Sequence, residues 1–178
     1  LLPIGLLREP FSEIKRADMI IINRKFSEAK QISADITKYF GNIPVFYAGY
    51  KANCFIDIKR HIKYDIKDFI GQVSLVICGI ARPHSFIAAL EGIGIDVSNK
   101  LIFVDHKNYD LKEVNLIRKK FYDTNSYSVI TTQKDAVKLK NFSRELDDID
   151  IYYLHIDLVP DDKENFDKII IDKINNIH

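Results

Sequence analysis

From residue 73 to residue 141 the chain switches period repeatedly: short apolar runs alternate with longer stretches whose apolar residues recur every three to four positions. Residues 73–78, 100–104 and 126–131 read as strands, and residues 83–91, 111–123 and 133–141 read as helices. Strands that are apolar throughout, rather than at alternate positions, need cover on both faces. Strands separated by helix-length segments have room for the crossover that parallel pairing requires. The pattern therefore predicts an α/β fold, a small and mostly parallel sheet flanked by helices with right-handed crossovers. A chain of 178 residues suits one ordinary domain, or one domain with a fragment of another.

The flanks carry weaker versions of the same signals. Residues 17–23 form a β-branched run ending in Asn23, and residues 27–40 place Ala29, Ile32, Ile36 and Phe40 at helical spacing before Gly41-Asn42. Residues 45–50 and 54–58 are extended segments separated by Lys51-Ala52-Asn53, as an edge ribbon or hinge would read. Residues 151–159 form a further extended run. Asp161, with Glu164 three residues on, predicts a capping box that opens a final helix. No internal repeat or low-complexity tract occurs.

Composition excludes several classes. Hydrophobic residues at 47% and charged residues at 29% place the chain among globular proteins. Lys and Arg balance Asp and Glu to a net charge of +1, so no bulk field draws it onto nucleic acid. The two cysteines, Cys54 and Cys78, form neither a disulfide framework nor a zinc module, which fits a reducing, cytosolic setting. No apolar run approaches the ~20 residues that cross a bilayer, and the first residues lack the pattern of a signal peptide, so the chain is expected neither to span a membrane nor to be exported. It starts at Leu1 in a loop-like stretch, and an upstream segment is expected.

In an open parallel sheet the loops leaving the carboxyl ends of the strands share one rim, where ligands bind. Three polar loops belong there: residues 78–84, with Gly79; residues 104–110, with Asp105 and His106; and residues 131–135, with Thr132, Lys134 and Asp135. Some of these residues also read as helix starts, Asp110 with Glu113 and Thr132 with Asp135. Asp105 reads as a turn former. His106 caps nothing evident, follows a buried strand and has an intrinsic pKa near ~6.5, which suits proton transfer at neutral pH. Near the start, Arg8 and Glu9 stand in a loop before Pro10; the guanidinium can clamp a phosphate, or the two can be an exposed pair of little energetic weight. Gly92-Ile93-Gly94 follows a helix and reads as its C-cap. Neither HExxH nor GxSxG occurs, and His61, His155 and His178 show no ligand spacing.

Five ordered stretches resemble motifs of the tetraacyldisaccharide 4'-kinase family. Leu2-Pro3, Gly5 and Leu7-Arg8-Glu9-Pro10 resemble LPxGxLREP, and Arg16-Ala17-Asp18 with the strand ending at Asn23 resembles RAD-strand-N. Gly79-Ile80 with Pro83 and Phe86 resembles GIxxPxxF; Phe103, Asp105-His106 and Tyr109 resemble FxDHxxY; residues 131–139 resemble TTEKDAVKL. Gln133 stands where that last motif has Glu, and the residues around Pro83 also depart from the usual ones.

The resemblance implies a two-lobed P-loop kinase that transfers the γ-phosphate of ATP to the 4'-hydroxyl of a tetraacyldisaccharide 1-phosphate, giving lipid IVA in lipid A biosynthesis. No G-x-x-x-x-G-K-[ST] occurs here, so the resemblance places the P-loop and the Mg²⁺-holding segment upstream of Leu1, and the chain is expected to be an inactive fragment on its own. Residues 1–43 would be the tail of the nucleotide-binding lobe and 44–71 a hinge ribbon and linker. Residues 72–150 would be the carboxyl-terminal lobe, and 151–178 a return strand and final helix. His106 would share proton removal from the sugar hydroxyl with a carboxylate of the other lobe, Arg8 would stabilise charge on the transferring phosphate, and Glu9 would orient Arg8 or the metal's water shell. ATP and the lipid disaccharide are the implied partners, with peripheral contact at the cytoplasmic face of the bacterial inner membrane and no nucleic acid. The other readings are a non-catalytic α/β ligand-binding or interaction module and, more remotely, a nucleotide-sugar or dinucleotide enzyme. The last is disfavoured because no phosphate-binding glycine loop follows the first strand of the sheet.

Overall fold

The alternation of periods is realised as β1 (Ile20–Lys25), α1 (Ala34–Thr37), β2 (Val45–Asp57), β3 (Lys63–Tyr64), β4 (Ser74–Cys78), α2 (Pro83–Gly92), β5 (Asn99–Ile102), α3 (Leu111–Asp123), β6 (Ser128–Thr131), α4 (Gln133–Leu139), β7 (Ile151–Pro160) and α5 (Lys163–Asn175), joined by short 3₁₀ turns. The structure is a computed structural model that describes residues 9–25, 32–105 and 107–176. It divides into two units, Leu1–Lys51 with Leu158–His178, and Ala52–Asp157.

The larger unit is built around β4, every residue of which is buried. Its flanking strands β5 and β6 both pair with it in parallel, and β6 pairs in parallel with the start of β7. Successive side chains of a strand face opposite ways. Leu75 and Ile77 accordingly pack into a cluster with Val114 and Ile117 of α3 and Leu139 of α4. Val76 and Cys78 pack into a second cluster with Phe86, Ile87 and Leu90 of α2. The sheet is thus covered on both faces, the condition its unbroken apolar strands require. Fully burying a side chain such as Leu75 or Ile77 stabilises by about 1.5–3 kcal/mol.

Each helix of this unit starts where local chemistry dictates. Pro83 occupies the first turn of α2, where its missing N–H leaves nothing unsatisfied. Asp110 accepts from the N–H groups of Lys112 (2.8 Å) and Glu113 (3.4 Å), and the Glu113 carboxylate accepts from the Asp110 N–H at 3.1 Å, completing the capping box on α3. At the far end of α2, Gly94 takes φ +83°, the left-handed turn that closes a helix and that the Gly92-Ile93-Gly94 pattern predicts.

In the smaller unit β1 runs parallel to the first part of β2, from Ile20 opposite Val45 to Asn23 opposite Ala48. Helix α5 contributes Phe166, whose ring meets Phe46 edge-on at 5.3 Å, and Lys173, which pairs with Asp18 at 2.6 Å. Strands β2 and β7 are hydrogen-bonded neighbours. Within the larger unit the Ile58 N–H donates to the Ile151 carbonyl, and within the smaller the Asp161 N–H donates to the Tyr47 carbonyl. The order of these partners makes the pair antiparallel.

Three expectations are corrected. The helix predicted over 27–40 is, among the described residues, the single turn α1 capped by Ser33; residues 26–31 lie outside the description. The two extended segments at 45–50 and 54–58 are one strand of 13 residues, because Asn53 stays extended and donates its side-chain amide to Asp157 at 2.6 Å. The last helix is capped by Asp162, which accepts from the Asn165 N–H at 3.2 Å, since the Asp161 carboxylate is engaged by Arg24.

Because Ile77 is fully enclosed between β4's neighbours and α3, Ile77→Ala is expected to lower unfolding free energy by about 2–5 kcal/mol, measured by urea titration with an unchanged m-value.

Candidate functional site

Strands β4, β5 and β6 point the same way, so residues 79–82, 103–110 and 132–135 leave from one edge of the sheet. The strand order β7-β6-β4-β5 decides where along that edge a crevice can form. From β4 the chain goes through α2 to β5 on one side; from β6 it goes through α4 to β7 on the other. Adjacent strands whose connections diverge make a topological switch point, the place where open α/β sheets hold ligands. Gly79 follows β4, and Thr132 and Asp135 follow β6, so the switch point lies between them.

There the residues meet. Asp135 is fully buried, and its Oδ2 accepts from the Gly79 N–H at 2.9 Å and the Thr132 hydroxyl at 2.8 Å. The Asp135 N–H donates to Thr132 Oγ1 at 3.2 Å, the cap expected of this helix start. A Cβ on Gly79 would stand 3.3 Å from Asp135 Oδ1, from Lys107 Cβ and from the Val104 carbonyl oxygen at once. A side chain here would press on all three loops, and each neighbour would have to give by a few tenths of an ångström.

The loop between β5 and α3 is braced on both sides of position 106. The Lys107 N–H donates to the Val104 carbonyl at 3.2 Å, and Lys138 of α4 donates its ammonium to the Lys107 carbonyl at 2.7 Å. Lys107 Nζ in turn pairs with Glu113 Oε1 at 2.7 Å, and Tyr109 is buried edge-on against Phe103 at 5.3 Å. The Lys107 ammonium, with the Asp110 N–H, holds the Glu113 carboxyl down at about 2 from an ordinary 4.5. Burial, followed by the charge of Asp135, pushes the Cys78 thiol up to about 11 and the Tyr109 hydroxyl well above its usual range. Cys78 therefore stays a protonated, unreactive packing group at neutral pH.

Of the residues singled out from sequence, Gly79, Thr132 and Asp135 come into direct contact. Asp105 and Lys134 stand exposed near them in the chain. Asp135, expected on the rim, is fully buried instead, its Oδ2 accepting from Gly79 and Thr132. Glu9 lies in the smaller unit, where its carboxylate pairs with Arg16 at 2.5 Å, both groups being exposed. His106 and Arg8 lie outside the described residues. The bracing residues Lys107, Glu113 and Lys138 were not among the expected site residues; the capping box held the signal for Glu113, whereas nothing local marks the reach of Lys138. His61 sits at φ +58° in the turn after β2, beside a buried Asp57 that accepts from the Lys59 and Arg60 N–H groups, and has a structural place.

A largely parallel α/β sheet, covered on both faces and carrying three polar strand-to-helix loops at one switch point, defines a protein of the class that handles ligands at the carboxyl edge of its strands. Within that class, the chain belongs to the tetraacyldisaccharide 4'-kinase family: the family model described as "Tetraacyldisaccharide-1-P 4'-kinase" matches residues 1–175. A tetraacyldisaccharide 4'-kinase of Halothermothrix orenii is 35% identical over 162 residues, 82% of this chain and 40% of that protein. One from Desulfatibacillum aliphaticivorans is 28% identical over 180 residues, 97% of this chain and 47% of that protein. The fold is like that of the "apo" form of LpxK from Aquifex aeolicus crystallised in complex with ATP, with a TM-score of 0.65 and 21% identity over 96% of this chain and 47% of that one. The chain thus spans less than half the length of these relatives.

Two outcomes test the site's architecture. Gly79→Ala is expected to destabilise by about 1–3 kcal/mol in urea unfolding, because three groups must move together. That exceeds the ~0.4–1 kcal/mol such a change gains by restricting the unfolded chain. The depressed Glu113 carboxyl contributes stability that is fully present above about 4.5 and is lost as pH falls toward about 2. Melting temperature followed from pH 5 to pH 2 should therefore fall more gently in Glu113→Gln than in the wild type. Asp148, held at about 2 by Arg118 and Tyr122, leaves a residual slope in both.

Proposed function

We propose that these residues form part of an enzyme that transfers the γ-phosphate of ATP to the 4'-hydroxyl of tetraacyldisaccharide 1-phosphate, yielding lipid IVA and ADP in lipid A biosynthesis. The observation that carries this reading is the match of the family model over residues 1–175, together with a loop at residues 104–110 braced from two helices at the switch point. A reacting group on a loop needs such support, since phosphoryl transfer is mostly positioning and charge neutralisation.

In the proposed reaction the 4'-oxygen bonds to the γ-phosphorus as the bond from that phosphorus to the β,γ-bridging oxygen breaks, with ADP leaving. The hydroxyl proton passes toward the imidazole of His106, acting with a carboxylate of a nucleotide-binding lobe. Arg8 stabilises charge on the moving phosphoryl group, with Glu9 as its neighbour in the same motif. ATP is gripped by a P-loop outside these 178 residues, which contain no G-x-x-x-x-G-K-[ST]. Among the described residues no group of three or more His, Cys, Asp or Glu side chains is placed to hold a metal ion, and no step here is assigned to Mg²⁺.

The chain crosses between the two units within β2 and returns within β7, and residues 50, 51 and 53 of β2 are exposed. That supports a hinge in this ribbon, so that substrate binding and assembly of the reacting groups are coupled. The acylated acceptor brings the enzyme to the cytoplasmic face of the inner membrane as a peripheral protein. No helix among the described residues is long and apolar enough to cross a membrane.

In the full-length enzyme, His106→Ala is expected to lower kcat by about 10²–10⁴-fold while KM for ATP stays within about twofold. Steady-state kinetics decide it: an unchanged kcat removes His106 from proton transfer.

A further inference from the structure

Strands β4, β6 and β7 begin at one edge of the sheet, opposite the loops described above, and that edge holds a cavity of about 380 Å³. Cavities of roughly 300–1,000 Å³ are the ordinary size of small-molecule sites. Tyr64, Tyr127, Tyr152 and Phe69 line it. Its inner rings stand at right angles to one another: Tyr152 meets Tyr64 at 5.3 Å and 79°, and Phe69 at 4.8 Å and 77°. Phe69 in turn packs at 4.4 Å on the fully buried Phe55, so the core holds these walls in place without a ligand. Tyr127 is 73% exposed, on a backbone fixed by its N–H, which donates to the Val73 carbonyl at 2.8 Å. Asp68 and Asp150 also line the cavity, both exposed, and no Lys, Arg or His does. Their neighbours have structural tasks: Asp65 accepts from the Lys67 N–H at 3.0 Å, and Asp148 is taken by Arg118. Among the described residues no hydrogen bond or ion pair engages the carboxylate of Asp68 or of Asp150.

We propose that this cavity binds a quaternary organic ammonium ion, with the rings of Tyr64, Tyr127 and Tyr152 against its methyl groups and Asp68 and Asp150 as its counter-charges. Aromatic ring faces carry negative charge, and the two carboxylates add to it, so the lining turns anions away and draws cations in. A bare metal ion does not suit it, since among the described residues no group of three His, Cys, Asp or Glu side chains is placed to hold one. A cation with an apolar surface suits it on both counts: the methyl groups bury against the rings, and the spread charge is met by ring faces and carboxylates together. Perpendicular rings offer no single open plane on which a flat or neutral sugar face could stack. All of these residues belong to the larger unit, and the cavity lies at the other end of the strands from the switch point. The site is therefore complete within residues 52–157 and is independent of the phosphoryl-transfer reading.

The test titrates the full-length protein, without ATP or acceptor, with choline at about 0.15 M constant ionic strength, followed by saturation-transfer NMR and calorimetry. The uncharged isostere 3,3-dimethyl-1-butanol and glucose are titrated in parallel. Choline is expected to bind saturably and at least about tenfold more tightly than the isostere, since shape is shared and only the charge differs. Tyr127→Ala should weaken choline about 3- to 10-fold, and Tyr127→Phe, which keeps the ring face, should stay within about twofold of the wild type. Asp150→Asn should weaken it about 2- to 5-fold. Both residues are exposed, so each variant is expected to melt within about 2 °C of the wild type. Choline and its isostere binding equally would make the cavity merely apolar and overturns the proposal. So does the absence of saturable choline binding. Full choline affinity in both Tyr127→Ala and Asp150→Asn places the cation elsewhere and likewise overturns it, as does glucose binding more tightly than choline.

Discussion

Burial of β4 on both faces is the constraint from which the remainder follows. A strand with Leu75 and Ile77 on one side and Val76 and Cys78 on the other must be roofed twice, and α2 can roof only one side. The chain therefore sends α2 to one face and α3 and α4 to the other, and its connections diverge between β4 and β6. Divergent connections open a gap at the carboxyl ends of the strands. In this chain the gap's floor is closed by a single carboxylate, which accepts a backbone N–H from the β4 side and a hydroxyl from the β6 side. The polar loops stand on a foundation that is itself fully enclosed.

Local chemistry was legible in the sequence, and long-range chemistry was not. The bounds of α3 agree with the sequence reading at both ends, because Asp110 and Glu113 satisfy the helix start between themselves. The start of α5 was misread by one residue: Asp161 and Asp162 are equivalent by local rules, and Arg24, 137 positions away, takes the first and leaves the second as cap. Lys51-Ala52-Asn53 reads as a break for a similar reason, since the partner that keeps Asn53 in the strand is Asp157. Strand ends were overestimated by one or two residues at 73, 103–104 and 126–127, where pairing stops before apolarity does.

The candidate site divides along the same line. That Gly79, Thr132 and Asp135 belong to one edge was readable from strand direction alone. That Asp135 turns inward was not, because the donor that meets its carboxylate is the Gly79 N–H, from a loop 56 residues earlier. The bracing of Lys107 by Lys138, across 31 residues, has no sequence signature of its own. Position after a strand already singled out His106; the family resemblance added an implied role and an implied partner carboxylate in another lobe.

The larger unit enters and leaves the smaller one through adjacent antiparallel strands, with the Asn53 amide bonded to the Asp157 carboxylate at the crossing. In topological language residues 52–157 are a guest nested within a host chain, its two ends a single strand spacing apart. A segment of that geometry can be transplanted into, or excised from, a surface hairpin with little backbone adjustment. The larger unit is therefore separable in its connectivity, and its loops can vary in length and sequence without breaking the strand pairing of the unit that carries it.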